Sequence, residues 1–126
     1  MSLFSDRPEE INAFVAANGG GWECPDSYTA LGSEKDGKII GGIVYSKYNG
    51  AHCLCNIALL PGYNHKKLII SGLHYGFAQL KLRRLTFIVA SSNIQSQRFV
   101  RHLGAALEAT LLGADTSGDL LIYSLF

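Results

Sequence analysis

Acidic residues are absent from the middle of this sequence. No Asp or Glu occurs between Asp36 and Glu108, although nine basic residues fall in that interval: Lys38, Lys47, Lys66, Lys67, Lys81, Arg83, Arg84, Arg98 and Arg101. The interval therefore offers no carboxylate for catalysis or metal binding. It presents a positive field suited to a phosphate-bearing ligand, a nucleic acid or an acidic partner, unless the folded ends supply the counter-charges.

Other absences limit the class of protein. No apolar run approaches the ~18 residues of a membrane span, and the first ten residues, MSLFSDRPEE, lack the basic and apolar segments of a secretion signal. The sequence has three cysteines, Cys24, Cys53 and Cys55. Because an odd number cannot all pair within the chain and no secretion signal is seen, we expect reduced thiols in a cytoplasmic protein. At 126 residues, 48% hydrophobic and 17% charged, the sequence fits one folded domain over residues 1–126.

The best-defined local pattern is a strand, a polar turn and a helix within residues 83–104. Residues 84–90 are rich in β-formers and apolar on both faces, which predicts a buried strand. The next three residues, ending at Asn93, are helix N-cap types, and Gly104 stands where a left-handed C-cap is expected. The free N–H groups at such a helix start favour an anion.

The whole chain predicts an α+β fold with a mixed sheet. Apolar periodicity and turn residues indicate a short strand or frayed end at 1–7, a helix ending at 18, strands at 28–33, 38–48 and 51–60, a helix at 64–80, a strand at 84–90, a helix at 93–103, and strands at 105–112 and 119–126. The dipeptides Asp36-Gly37 and Asn49-Gly50 are tight-turn signals, which make the three middle strands an antiparallel meander.

The helices carry further signals. Asp6 with Glu9 is typical of a capping box, and Pro8 suits a first helical turn. The glycines at 19–21 match no P-loop or dinucleotide motif, so we interpret them as a loop that ends the first helix. For the helix at 64–80 we predict a buried face made of Ile69, Gly72, Leu73, Gly76, Phe77 and Leu80.

The segment NIQSQRFVRHLGA, residues 93–105, resembles the last conserved motif of the GNAT superfamily of N-acetyltransferases. In that motif an Asn opens a helix and a Gly follows eleven residues later, which is the spacing of Asn93 and Gly104. The upstream HYGFAQLKLRRLTFIV is similar to the helix-to-strand passage of the same superfamily. The DG hairpin, the GGIVYSKYNGAH strand pair and the YGFAQL helix most resemble small GNAT-like proteins of bacteriophages.

This resemblance implies a mostly antiparallel sheet with a central splay, flanked by about three helices. It also implies a co-substrate, acetyl-CoA or another acyl-CoA, whose pantetheine arm lies in the splay and whose pyrophosphate rests at the start of the central helix. On that correspondence the cofactor-binding residues are Asn64, His65, Lys66, Lys67, Asn93 and Arg98.

Three departures from the family pattern concern catalysis. The Gly-rich phosphate loop is missing, since the region reads GYNHKKLI with Gly62 as its one glycine, and Val100 stands where many relatives have a Tyr acid. The acid-free interval excludes the usual Glu base from the middle strands. The remaining candidates for a catalytic role are Glu108, His65 and Tyr75, which are groups able to give or take a proton.

Other chemistries have less support. Cys53 and Cys55 share one face of a strand, which is typical of buried core thiols, and no Cys/His spacing offers a metal-ligand set, so no metal is expected. The basic residues and interleaved tyrosines lack a helix-turn-helix, zinc or single-strand-binding signature, so a nucleic-acid partner is not expected either.

Two functions stay open at this point. The first is an acetyl-CoA-dependent N-acyltransferase acting on a primary amine, with a protein or peptide acceptor because the short region before Tyr28 leaves the acceptor side open. The alternative is a catalytically inactive GNAT-fold interaction or assembly protein, phage-encoded, whose mark would be an apolar self-interface and hence a homodimer.

Overall fold

A seven-stranded mixed sheet flanked by helices forms the computed structural model, which describes residues 2–18 and 27–126. The strands are β1 Ser2–Phe4, β2 Tyr28–Lys35, β3 Lys38–Ser46, β4 His52–Leu59, β5 Arg84–Ala90, β6 Ala106–Asp115 and β7 Gly118–Leu125. The α-helices in the described part are α1 Pro8–Asn18, α2 Lys66–His74 and α3 Ile94–His102. The predicted α+β fold, with a mostly antiparallel sheet and about three helices, is confirmed.

The strand order is β1-β2-β3-β4-β5-β7-β6, and β4 with β5 is the parallel pair. That pairing runs only from His52 opposite Arg84 to Leu54 opposite Thr86. Beyond these three residue pairs the two strands part. The sheet therefore has the predicted central splay.

Helices cover both faces of the sheet. Ile11 of α1 packs with Val44 of β3 in one cluster, whereas Leu68 of α2 and Val100 of α3 belong with Ile43 to a second, larger cluster. Ile43 and Val44 are neighbours on one strand, so their side chains point to opposite faces. α1 thus lies on one face, and α2 and α3 lie on the other.

The two predicted tight turns have different outcomes. Asp36-Gly37 forms the β2–β3 turn with φ values of 54° and 77°, as a type I′ turn requires. Asn49-Gly50 instead lies in a longer link, because β3 ends at Ser46 and β4 begins at His52. The tight hairpin predicted there is wrong. The Asn49 Oδ1 atom accepts hydrogen bonds from the N–H groups of Ala51 and His52, which stabilises the wider loop.

The start of α1 also differs from the prediction. α1 begins at Pro8, so Pro8 is the first helical residue as expected, but Arg7 rather than Asp6 is the N-cap. The Arg7 carbonyl accepts from the Ile11 N–H at 3.2 Å. The proposed capping box is therefore wrong. The glycine loop predicted at 19–21 lies outside the described residues.

The second helix changes type along its length. α2 ends at His74, and Tyr75–Gln79 continues it as a π-helical segment, marked by the hydrogen bond from the Leu80 N–H to the Tyr75 carbonyl. Gly72 and Gly76 are buried as predicted, and the other predicted members of that face are partly buried against the core. Leu68 is fully buried and was missed by the prediction.

Candidate functional site

The candidate site is the gap between β4 and β5. Its inner part is a cavity of about 60 Å³, lined by the two strands and by α3. A second cavity of about 220 Å³ shares four of its lining residues, Ile57, Asn93, Ser96 and Phe99. Because the ladder between the strands stops at Leu54 and Thr86, backbone N–H and C=O groups beyond that point have no cross-strand partner in the gap. They are free to pair with an extended ligand.

Asn93 lines both cavities of this gap. It caps α3, because its Oδ1 accepts from the Ser96 N–H at 3.1 Å, and its own N–H donates to the Ala90 carbonyl at 2.9 Å. Gln97 Nε2 donates to the Ser91 carbonyl at 2.8 Å. The turn that carries Asn93 is therefore tied to β5 and α3, and the predicted cofactor residue occupies the gap.

The β6–β7 hairpin braces the same turn from the other side. The Ser91 N–H donates to the Asp119 carbonyl at 2.9 Å, and the Asp119 N–H donates to Ser91 Oγ at 3.0 Å. The hydroxyls of Ser92 and Ser117 lie 2.8 Å apart. Gly118 has a φ of 146°, and a Cβ there would come within 2.9 Å of Ser91 Oγ. The close approach of the hairpin thus needs glycine at this position.

No tyrosine is among the described residues that line the gap, although many relatives have one on this helix. Val100 is buried in the core, and Phe99 lines both cavities. Cys55 also lines the inner cavity, but burial, and to a lesser extent the neighbouring Cys53, raise the pKa of its thiol far above the usual value. Burial raises the pKa of the Cys53 thiol as well. Both are core thiols, as predicted, and neither is activated as a nucleophile.

The start of α2 brings together three of the predicted cofactor residues. Asn64, Lys66 and Lys67 line an open cavity of about 490 Å³ together with Ile70 and Ser71. The Lys66 N–H donates to Asn64 Oδ1 at 3.0 Å, and no side chain caps the helix from the N-cap position. Unpaired N–H groups in the first turn and two lysines form a suitable surface for phosphate.

His65 lies at the same corner but faces inward. Its Nε2 is 2.7 Å from the Leu60 carbonyl oxygen, which can only accept, so Nε2 carries the hydrogen. Its Nδ1 is buried without a partner among the described residues, as is the Ser33 hydroxyl. A Cβ on Gly41 would lie 3.2 Å from this Nδ1 and 3.0 Å from Ser33 Oγ. The ring therefore anchors the β4–α2 corner. Its predicted catalytic and cofactor roles stay predictions.

Glu108, a predicted catalytic candidate, lies on β6 in an ion pair. Its two carboxylate oxygens accept from Arg84 at 2.9 and 3.0 Å, and one also accepts from Ser124 Oγ at 2.8 Å. The hydrogen bond from Arg84, followed by that from Ser124, holds the pKa of Glu108 below its usual value. Such a carboxylate is a weak base, and it does not line either cavity of the gap.

The remaining predicted residues lie away from the gap. The Tyr75 hydroxyl donates to Thr29 Oγ1 at 3.3 Å, and its ring contacts that of Tyr45 at a centroid distance of 5.2 Å. Tyr75 lines a separate cavity of about 660 Å³ between β2 and α2. Arg98 is exposed on α3 and lines neither cavity of the gap.

Two polar residues that line the inner cavity were missed by the sequence reasoning. Ser96 lines both cavities and Asn56, on β4, lines the inner one. The position of Ser96 three residues after Asn93 on a helix was the available signal, since such residues share a face. Asn56 had no signal beyond being a polar residue in an apolar strand.

Two further findings concern residues 2–18 and 27–126. No group of three His, Cys, Asp or Glu side chains is arranged there to hold a metal ion. No helix in this part of the chain is both long and apolar enough to cross a membrane.

Comparison with known families identifies the class. The model of the acetyltransferase (GNAT) family matches residues 5–105, and the chain therefore belongs to the GNAT acetyltransferase family. No curated protein matches the sequence.

Solved structures agree on the fold. A mutant of the spermidine N-acetyltransferase SpeG from Vibrio cholerae superposes with a TM-score of 0.79 at 15% identity, over 100% of this chain and 95% of that one. The N-acetyltransferase PseH from Campylobacter jejuni, in complex with acetyl coenzyme A, gives 0.63 at 19% identity, over 80% and 69%. A dodecameric SpeG structure gives 0.79 at 14% identity, over 99% and 92%. At these identities the likeness shows the fold alone.

The residues present fit acetyl-CoA, the donor used in this family, at two points. The open edges of β4 and β5 with Asn93 suit an amide-bearing arm. The start of α2, where the N-cap residue His65 makes no side-chain capping bond, suits a pyrophosphate together with Lys66 and Lys67. Space for the arm is smallest beside Phe99. The inner cavity there is far smaller than the ~300–1,000 Å³ usual for ligand pockets.

Proposed function

We propose that this protein is an acetyl-CoA-dependent N-acyltransferase whose acceptor is a primary amine of a protein or peptide. The observation that carries the proposal is the parting of β4 from β5 after three residue pairs, with Asn93 placed in the opening. The free backbone edge of β4 supports pairing with the amides of a pantetheine arm. The place of Lys66 and Lys67 beside an open cavity at the start of α2 supports contacts between their ammonium groups and the phosphates.

The reaction forms a C–N bond and breaks the C–S bond of the thioester. The amine must arrive without its extra proton, and the departing thiolate must gain one. Among described residues, those lining the gap include no Tyr, His or carboxylate. The acceleration of acyl transfer would therefore come from two effects. The protein would orient the amine against the thioester, and a β4 backbone N–H would polarise the carbonyl. Protons would be exchanged through solvent.

Titration calorimetry with acetyl-CoA tests the proposal. We expect binding that weakens several-fold in the double variant Lys66→Ala/Lys67→Ala, with the difference shrinking as salt rises. Lys47→Ala is the matched control, because Lys47 follows β3 at the end opposite the α2 corner. Absence of heat at millimolar acetyl-CoA would end the proposal.

One observation favours a second candidate, a catalytically inactive GNAT-fold interaction or assembly protein. The inner cavity, which Phe99 lines, measures only about 60 Å³, and among the described residues that line it no phenol replaces the one missing at Val100. This candidate is supported if wild type shows no heat with acetyl-CoA and Phe99→Ala does. A phage origin and a cytoplasmic location stay predictions from the sequence.

A further inference from the structure

The cavity of about 660 Å³ beside Tyr75 runs along the edge of β2. Four consecutive residues of that strand line it, Tyr28, Thr29, Ala30 and Leu31. Consecutive side chains of a strand point to opposite faces of the sheet, so a cavity over one face would meet alternate residues only. This cavity therefore meets the strand from its side, where the backbone N–H and C=O groups lie.

The neighbouring strand β1 leaves this part of β2 unpaired. β1 reaches only to Phe4, which lies opposite Gly32. The chain then turns away towards α1 through Ser5, which lines the cavity. Among the described residues, no strand pairs with residues 28–31 on that side. The cavity thus occupies the place that a longer β1 would take.

The unpaired stretch lacks the charge, proline or bulge that often protects an edge strand. Residues 27–33 contain no charged residue and no proline. The pairing of β2 with β3 is regular from Tyr28 to Ser33, and its irregularity falls between Ser33 and Glu34, in the part that β1 covers. The backbone of residues 28–31 is therefore able to pair with a further segment.

The wall opposite β2 offers both apolar surface and hydrogen-bonding groups. Ile70 of α2 lines it and is 56% exposed. Tyr75 and Gln79, the first and last residues of the π-helical segment, also line it. Such segments are frequent at functional sites. A side chain entering from the β2 edge would find an apolar contact and an amide or hydroxyl partner here.

Charge is almost absent from this cavity. No Asp, Glu, Lys or Arg of the described part of the chain lines it, and His74 is the one lining side chain that titrates near neutral pH. Asp6 and Arg7, which lie in sequence between the lining residues Ser5 and Pro8, form an ion pair at 4.0 Å. A charged side chain would lose hydration here without gaining a partner. The cavity therefore favours an uncharged occupant.

We propose that this cavity binds an extended, uncharged peptide segment of a partner protein, which adds a strand beside residues 28–31 of β2. Pairing with the β2 backbone supplies affinity, and contacts of alternate side chains with the α2 wall supply specificity. The stretch spans about 13 Å, the length of roughly four peptide residues. A compact apolar molecule would not pair with the β2 backbone and so suits the cavity less well.

This site is separate from the gap between β4 and β5, because the two share no lining residue. The inference therefore does not depend on acyl transfer, and it is tested without acetyl-CoA. The probe is a library of fluorescent, end-blocked hexapeptides built from Ala, Ser, Thr, Val, Leu and Tyr. We expect members of the library to bind in fluorescence polarisation. A hit with Lys or Glu at its two central positions should no longer bind.

Backbone methylation of a hit tests strand pairing directly. An edge-paired peptide directs alternate N–H groups at β2. Methylation of one alternate set of nitrogens should abolish binding, whereas methylation of the other set should leave it. In the complex, amide hydrogen exchange should slow within residues 28–31 of the protein.

Thr29→Lys places a charge in the cavity and should weaken binding about tenfold or more. Thr110→Lys is the matched control, because Thr110 is likewise an exposed strand threonine but lies on β6 at the opposite edge of the sheet. That variant should bind like wild type. Far-UV circular dichroism checks that both variants keep the fold.

Four outcomes would overturn the proposal. The first is a library without any binder at millimolar concentration, and the second is a hit that binds equally well with either set of nitrogens methylated. The third is equal weakening by Thr110→Lys. The fourth is a wild-type dimer in sedimentation velocity that Thr29→Lys dissociates, since a second copy would then occupy this edge.

Discussion

The Tyr45 hydroxyl donates a 2.6 Å hydrogen bond to the Gly72 carbonyl and thereby fixes α2 against β3. Burial raises the pKa of Tyr45, so the phenol stays a donor at any ordinary pH. A Cβ on Gly72 would overlap the Ile43 side chain and lie 2.8 Å from the Tyr45 oxygen. This contact sets the distance between the helix and the sheet, and with it the position of the start of α2.

Gly72→Ala should destabilise the fold by about 1–3 kcal/mol, because the added methyl group overfills a packed contact. The intrinsic preference of Ala for helix, ~1 kcal/mol, offsets only part of this. Gly76→Ala is the matched control, since its Cβ would meet Leu85 at an ordinary 3.5 Å. Urea denaturation of the two variants measures the difference. Equal stability would contradict the close approach at Gly72.

Asn93→Ala should lower stability by about 1 kcal/mol, because the Ser96 N–H loses its side-chain acceptor. Asn93→Asp keeps an acceptor at the same place and should retain most of that stability. If the amide itself contacts acetyl-CoA, both variants weaken binding in calorimetry although only one destabilises the helix. Wild-type affinity in Asn93→Asp would show that Asn93 acts only as a cap.

The scaffold was predictable where local physics decides it. The Asp36-Gly37 turn and the Gly104 C-cap each need a left-handed backbone that few residue types adopt, and both are as predicted. The N-cap needs a side-chain acceptor, and Asn93, one of the three predicted cap types, supplies it. The link around Asn49 was not, because its side chain bonds to the backbone in a way that competes with a tight turn. The strand after Ala105 also runs three residues beyond the predicted end.

The site was predictable only in part, because it depends on contacts far apart in sequence. The inward orientation of His65 follows from the Leu60 carbonyl, and the ion pair of Glu108 follows from pairing of β6 with β7 and of β7 with β5. Neither contact produces a periodicity or a residue spacing that can be recognised in the amino-acid sequence. Tyr75 was predicted as a candidate from its chemistry, whereas its place against Tyr45 depends on how the π-helical segment turns the helix.

The described thiols should resist reagents in the folded protein, because burial raises the pKa of both Cys53 and Cys55. Cys24 lies outside the described residues, so the Cys24→Ser variant isolates the other two. In that variant we expect no titratable thiol with Ellman's reagent under native conditions and two in denaturing urea. Rapid labelling of the native variant would show that the core around β4 opens readily.

Glu108→Gln should remove an acid-dependent part of the stability. The folded-state pKa of Glu108 is lowered by Arg84 and Ser124, so its carboxylate favours the folded state at any pH above the unfolded value of ~4.3. That contribution is lost as pH falls through the still lower folded value. Wild type should therefore exceed Glu108→Gln in urea midpoint by a constant margin at pH 7 and pH 5, and the margin should shrink towards pH 3.

Glu9→Gln, on the exposed first turn of α1, controls for loss of a surface charge. Asp115, whose pKa is also lowered by Ser117, is present in every variant and cancels. A margin that stays constant down to pH 3 would mean that the Arg84–Glu108 pair contributes no charge-dependent stability.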